Sequence, residues 1–101
     1  MVRRRVALQR YAVCGYNAEV ATAKTLRRVR AGRSDASIPF NDLCQLLESL
    51  GFEKRVRGSH HVFRKAGIEE MINLQREGRH AKPYQVKQAR AVILKYKLGG
   101  V

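Results

Sequence analysis

At Gly51 the spacing of apolar residues changes, and that change constrains the architecture more than any other feature of the chain. Upstream, Leu43, Leu46, Leu47 and Leu50 recur at i, i+3, i+4 and i+7, the stripe of an amphipathic helix. Asn41 stands where an N-cap belongs, Asp42 complements the positive end of the helix dipole, and Gly51 suits the left-handed residue after the last turn. Downstream the period becomes two. Residues 52–57 alternate, with Phe52, Lys54 and Val56 on one parity, and Gly58-Ser59 makes a tight hairpin turn. Residues 60–65 give a second strand, and Ala66-Gly67 turns again. Residues 69–75 give a third strand, with Ile72 and Leu74 sharing a face, and residues 76–82 read as a polar loop.

Pro83 opens a last helix, in which Val86, Ala89, Ile93 and Tyr96 form one stripe. Lys95 and Lys97 suit its negative end, and Gly99-Gly100 closes it. The order helix, three strands, helix predicts an α+β fold of α-β-β-β-α type. A three-stranded antiparallel sheet carrying two helices on one face buries all these stripes together.

Ahead of this unit the pattern thins. Residues 18–31 can form a helix in which Leu26 and Val29 share a face, with Gly32 as its stop, and residues 33–37 read as a polar linker. A boundary placed there gives a basic N-terminal extension, 1–33, partly helical or flexible, and a folded domain, 34–101. Removing the extension is then expected to leave the domain folded. A chain of 101 residues has room for one modest core.

Charge limits the partners. The net charge is +13, with nine basic residues against one acidic residue in 1–33 and twelve against seven in the remainder. Both parts therefore attract polyanions, and RNA, DNA or an anionic membrane surface heads the list. The run Arg3-Arg4-Arg5 adds non-specific affinity for nucleic acid. No apolar run has the length of a membrane span or of a signal-peptide core. Cys14 and Cys44 match no ligand-pair spacing and read as free thiols in a reducing cytosol, so a soluble cytoplasmic protein is expected.

The candidate chemistry centres on Arg57-Gly58-Ser59-His60-His61. Strand alternation sends the two histidines to opposite faces. His61 shares parity with Phe63 and belongs at the core edge, whereas His60 shares an open face with Val62 and Arg64. An imidazole titrates near neutrality, so it can take the proton of a ribose 2′-OH and return it, while Arg57, Arg64 and lysines hold the phosphate. The Gly58-Ser59 turn offers backbone N–H groups and a hydroxyl at the same place. From the residues alone, His60 is open between a phosphate contact and a catalyst. His80, in a polar loop beside Arg79 and Lys82, reads as an RNA-backbone contact. The histidines lack metal-ligand spacing, and Glu69-Glu70 diverge on a strand, so neither a zinc site nor a two-carboxylate metal site is expected.

From Ile38 to Leu98 the sequence resembles the HicA family of mRNA interferase toxins. The resemblance rests on Leu50-Gly51-Phe52, on Gly58-Ser59-His60 entering a strand with Phe63, on Ile72-Asn73-Leu74, on Lys82-Pro83-Tyr84, and on a helix with Val86-Lys87 and Ile93-Leu94. It implies a double-stranded-RNA-binding-domain fold and metal-independent cleavage of mRNA without a cofactor. It also implies His60 as the catalytic residue and a HicB-type antitoxin as partner. Arg57, Gly58, Ser59, Arg64, His80, Lys82 and Lys87 are the residues expected to bind RNA.

Two other readings compete. A catalytically silent double-stranded-RNA-binding module grips A-form grooves by shape, but it gains little from a histidine after Gly58-Ser59. A DNA-binding factor presenting the last helix to a groove needs helix-turn-helix geometry, which three intervening strands oppose.

Overall fold

The computed structural model describes residues 12–99, with side chains from residue 22 onward. The arginine run at 3–5, the Cys14 side chain and Gly100 lie outside the described parts. Helix α1 (Ala12–Ala31) leads through a 3-10 turn (Asp35–Ser37) into α2 (Phe40–Ser49). Strands β1 (Glu53–Arg57), β2 (His60–Arg64) and β3 (Ile72–Leu74) follow. A small hairpin of β4 (Arg76–Glu77) and β5 (His80–Ala81) then leads to α3 (Pro83–Lys95). The strands β1-β2-β3 pair in that order, antiparallel throughout. The fold is α+β and consistent with a double-stranded-RNA-binding-domain-like α-β-β-β-α arrangement, preceded by α1.

The period change at Gly51 is built as expected at its C-terminal side. Phe52 N–H donates to the Leu47 carbonyl at 3.1 Å and Gly51 N–H to the Glu48 carbonyl at 3.0 Å, the paired bonds of a Schellman motif. Gly51 stands at φ +99°, where a side chain would be strained. The other end differs. Pro39, extended at φ −60° and ψ 138°, is the N-cap in place of Asn41, and no side chain caps the helix. The chain already enters α2 held, because Phe40 N–H donates to the Arg79 carbonyl at 2.9 Å. Asn41 is then free to accept from Arg76 Nη2 at 2.9 Å.

The sheet packs one face on the helices. Phe63, Ile72 and Leu74 enter a core with Phe40, Leu43, Leu46, Leu47, Val86, Ala89 and Ile93. Strand β1 lies at the edge, and all five of its residues are exposed. Val56, which shares the core parity, is therefore 55 % exposed. The third strand is shorter than the expected 69–75. Residues 69–71 leave the sheet, and Glu70 accepts instead from Lys95 Nζ at 2.7 Å and from Tyr96 OH at 2.6 Å on the α3 side.

The polar loop expected at 76–82 contains the β4–β5 hairpin. It is ordered because Ala81 N–H donates to the Ile38 carbonyl at 3.0 Å and His80 pairs with Pro39. Helix α3 ends at Lys95, earlier than Gly99-Gly100 implied. Lys97 takes the left-handed residue at φ +54°.

The expected boundary near residue 33 meets continuous packing. Helix α1 is longer than the 18–31 segment, and it packs against α2 and α3. Val29 is fully buried in the common core, with Leu26 against it. The linker is fastened as well: Arg90 makes a bidentate pair with Asp35 at 2.8 and 3.2 Å and donates to the Val29 carbonyl at 3.2 Å. No helix of the described residues is long and apolar enough to cross a membrane.

Candidate active site on the open sheet face

Strand alternation and the β1–β2 turn create the site. Arg57 pairs with His60 across the hairpin, leaving Gly58 and Ser59 as a two-residue turn. Gly58 sits at φ +60°, whereas Ser59 is not among the positive-φ residues. That asymmetry marks a turn with glycine at its first central position, which matches strand twist. His60 is thereby lifted to the end of the sheet on the face without helices, and it is exposed. His61 goes the other way. Its ring meets the Phe40 ring edge-on with centroids 4.9 Å apart, and its buried Nδ1 has no hydrogen-bond partner among the described residues.

His60 is the centre of a polar network. Its Nδ1 lies 3.1 Å from Asn73 Oδ1, and its Nε2 lies 3.4 Å from Gln75 Nε2. The Gln75 amide also donates to Ser59 Oγ at 3.3 Å and accepts from Lys82 Nζ at 3.4 Å. Below it, Gln75 N–H donates to Oε1 of the buried Gln85 at 2.7 Å, which ties β3 to the first turn of α3. Five elements of sequence thus meet around one imidazole: the turn, β2, β3, the residue after β3, and the N-cap of α3.

Beside this network a groove of about 540 Å³ crosses the open face, lined by Glu53, Arg55, Arg57, Val62, Arg64 and Met71. Its arginines differ from those that brace the fold. Arg28, Arg76 and Arg90 each donate to a named oxygen. Among the described residues, Arg55, Arg57 and Arg64 have neither an ion pair nor a side-chain hydrogen bond. Three unpaired guanidinium groups on one small face repel one another and offer forked donors to an incoming anion.

The expected RNA-binding residues separate into two groups. Arg57, Gly58, Ser59 and His60 are joined at the hairpin, and Lys82 reaches them through Gln75. Arg64 shares the face but lies at the other end of β2, about 13 Å away at strand rise. His80 is half-buried in β5, and among the described residues no hydrogen bond or ion pair joins it or exposed Lys87 to the His60 network. Arg55, Asn73, Gln75 and Gln85 were not expected. Parity with Arg57 carried the signal for Arg55, and the position between Ile72 and Leu74 carried it for Asn73. Gln75 and Gln85 gave none.

The other titratable groups do not add a second centre. Burial pushes the Cys44 thiol up to about 11, the nearby Lys54 ammonium opposing this only in part, so it is a protonated core group near neutrality. Hydrogen bonds from Lys95 and Tyr96 hold the Glu70 carboxyl down to about 2, and Lys95 is raised in return. Glu70 is therefore a neutralised partner of α3. Among the described residues no three His, Cys, Asp or Glu side chains are grouped to hold a metal ion.

The sequence profile of the HicA toxin of bacterial toxin–antitoxin systems matches residues 40–95. The chain belongs to the HicA toxin family. The match begins on the first residue of α2 and ends on the last residue of α3, so the HicA unit is the sheet with its two flanking helices, and α1 lies outside it. Membership in this HicA family implies an antitoxin partner. No curated protein and no solved structure matches the chain.

Proposed function

We propose that this HicA chain is an mRNA endonuclease in which His60 is the catalytic acid–base group and no metal takes part. The observation that supports it most is the exposed His60 imidazole, held in a polar network at the end of a groove lined by three unpaired arginines. In this reading His60 Nε2 takes the proton from a ribose 2′-OH. The 2′ oxygen forms a bond to the adjacent phosphorus, the bond from phosphorus to the 5′ oxygen breaks, and the imidazolium returns its proton to that leaving oxygen. Arg57, Arg55 and Lys82 offset the charge gathering on the phosphoryl oxygens, and the Gly58 and Ser59 amides border the same space. Arg64 binds the RNA further along the face, and His80 and Lys87 serve as peripheral backbone contacts.

The protein acts in the cytoplasm, where mRNA is, and a HicB-type antitoxin neutralises it by covering the His60 face. The charge of the groove suits an acidic protein surface as well as it suits RNA.

The test is cleavage of a purified mRNA by the full-length chain. Removing His60 is expected to lower the rate by roughly 10²- to 10⁴-fold, the usual contribution of a positioned acid–base group. EDTA is expected to leave it unchanged. A His60→Ala chain that still cuts at the wild-type rate would falsify the assignment. Activity lost to EDTA and restored by a divalent ion would overturn the metal-free step.

A further inference from the structure

We propose that Asn73 is a positioning residue that holds His60 as the Nδ1–H tautomer, so that Nε2 is the nitrogen offered to RNA. This rests on the nuclease reading of His60. An amide oxygen only accepts hydrogen bonds, so Asn73 Oδ1 at 3.1 Å from Nδ1 requires a proton on that nitrogen. A neutral imidazole then carries its lone pair on Nε2. The opposite side of the ring agrees. Gln75 Nε2 only donates, and it faces His60 Nε2 at 3.4 Å.

The register explains why these two amides find the ring. Val62 pairs with Asn73 and His61 with Leu74, so Gln75 is the next residue opposite His60 and Asn73 is its diagonal neighbour. Diagonal pairs on one face lie within reach of long side chains. Ile72 and Leu74, both buried, flank Asn73 and fix its direction. Gln75 is held in turn by Ser59 Oγ, by Lys82 Nζ and, through its backbone, by Gln85.

The two bonds differ in strength, and that difference suits a catalytic cycle. The contact to Nδ1 has ordinary hydrogen-bond length, whereas 3.4 Å to Nε2 is long and weak. A ribose hydroxyl can replace Gln75 at Nε2 while Asn73 keeps the ring in place. A neutral amide also orients the imidazole without the strong preference for imidazolium that a carboxylate would impose, so the proton can be returned.

The experiment reads the ring nitrogens directly in the full-length, nitrogen-15-labelled chain, together with RNA cleavage. In its neutral form, wild-type His60 is expected to show a protonated Nδ1 and an unprotonated Nε2. In Asn73→Leu the Nε2–H form, which free histidine prefers, should appear, and kcat should fall about 10- to 100-fold with little change in KM. Asn73→Asp should keep the Nδ1–H form and move the rising limb of the pH–rate profile to higher pH. Asn73→Thr, a good strand former too short to reach the ring, gives the same readout if the leucine variant does not fold. Wild-type protein with Nε2 protonated, or a leucine or threonine variant with unchanged tautomer and kcat, overturns the proposal. The spectra need no RNA. A wild-type chain that shows the tautomer and its loss on substitution, yet does not cut, overturns the nuclease reading and leaves the positioning role of Asn73 standing.

Discussion

His60 and His61 are adjacent in β2, and the sheet gives them opposite environments. His60 faces solvent among Asn73, Gln75 and Ser59, at the end of a groove whose arginines have no side-chain partners among the described residues. His61 lies against Phe40 with one ring nitrogen buried and unpaired. The residues around them follow the same division. On the covered face Phe63, Ile72 and Leu74 are buried, whereas on the open face Val62 and Met71 are the apolar members of a basic surface. Apolar burial stabilises one side of the sheet. The other carries repelling charge that contributes nothing to folding and is available to a polyanion. A small sheet can thus separate stability from binding by parity alone.

Substitutions on the two faces should therefore fail in different assays. Phe63→Ala on the covered face is expected to cost about 3–5 kcal/mol of stability. Urea unfolding checks it, and a loss below ~1 kcal/mol would show that this face is not the core. Deleting residues 1–33 removes Val29 and Leu26 from the same core and tests whether the domain folds unaided. A loss of at least ~2 kcal/mol should follow, and an unchanged unfolding midpoint would support a boundary at residue 33.

Replacing Arg55, Arg57 and Arg64 together by Gln should leave the midpoint nearly unchanged. The same change should reduce the salt dependence of single-stranded RNA binding by a slope of about 2. An unaltered slope would move RNA off the open face. His61→Phe keeps the ring contact and removes the unpaired nitrogen, so it should stabilise by ~1 kcal/mol and leave RNA cleavage intact. Equal loss of cleavage in His61→Phe and His60→Ala would erase the distinction between the faces.

The smallest effect concerns Glu70, whose folded value near 2 lies below its ordinary 4.5. Its pair with Lys95 and Tyr96 contributes fully above about pH 4.5 and is lost as pH falls toward 2. Glu70→Gln should flatten that part of the stability curve, as acid titration of the unfolding midpoint can show.

Much of this division was legible in the residues. The leucine stripe ending at Gly51, the parity of Phe63 against His60, and the glycine of the Gly58-Ser59 turn each carry a local signal, because helix period, strand period and positive φ are properties of short segments. The element ends were less legible. Asn41 is a good capping residue, yet Pro39 took the cap because Arg79 and His80, forty residues away in sequence, hold the chain there. Residues 69–75 look extended throughout, but Lys95 at the end of α3 and Tyr96 just after it draw the Glu70 carboxylate away from the sheet.

The sequence by itself determined the order helix, three strands, helix, the basic character of the chain and the face on which His60 stands, since period and charge need no knowledge of distant neighbours. Tertiary structure alone decided that Asn73 and Gln75 grip the two nitrogens of that ring, that Lys82 joins them, and that Val29 of α1 completes the core. These depend on strand register and helix docking, which are set when separate segments bury their apolar surfaces together rather than by any segment alone.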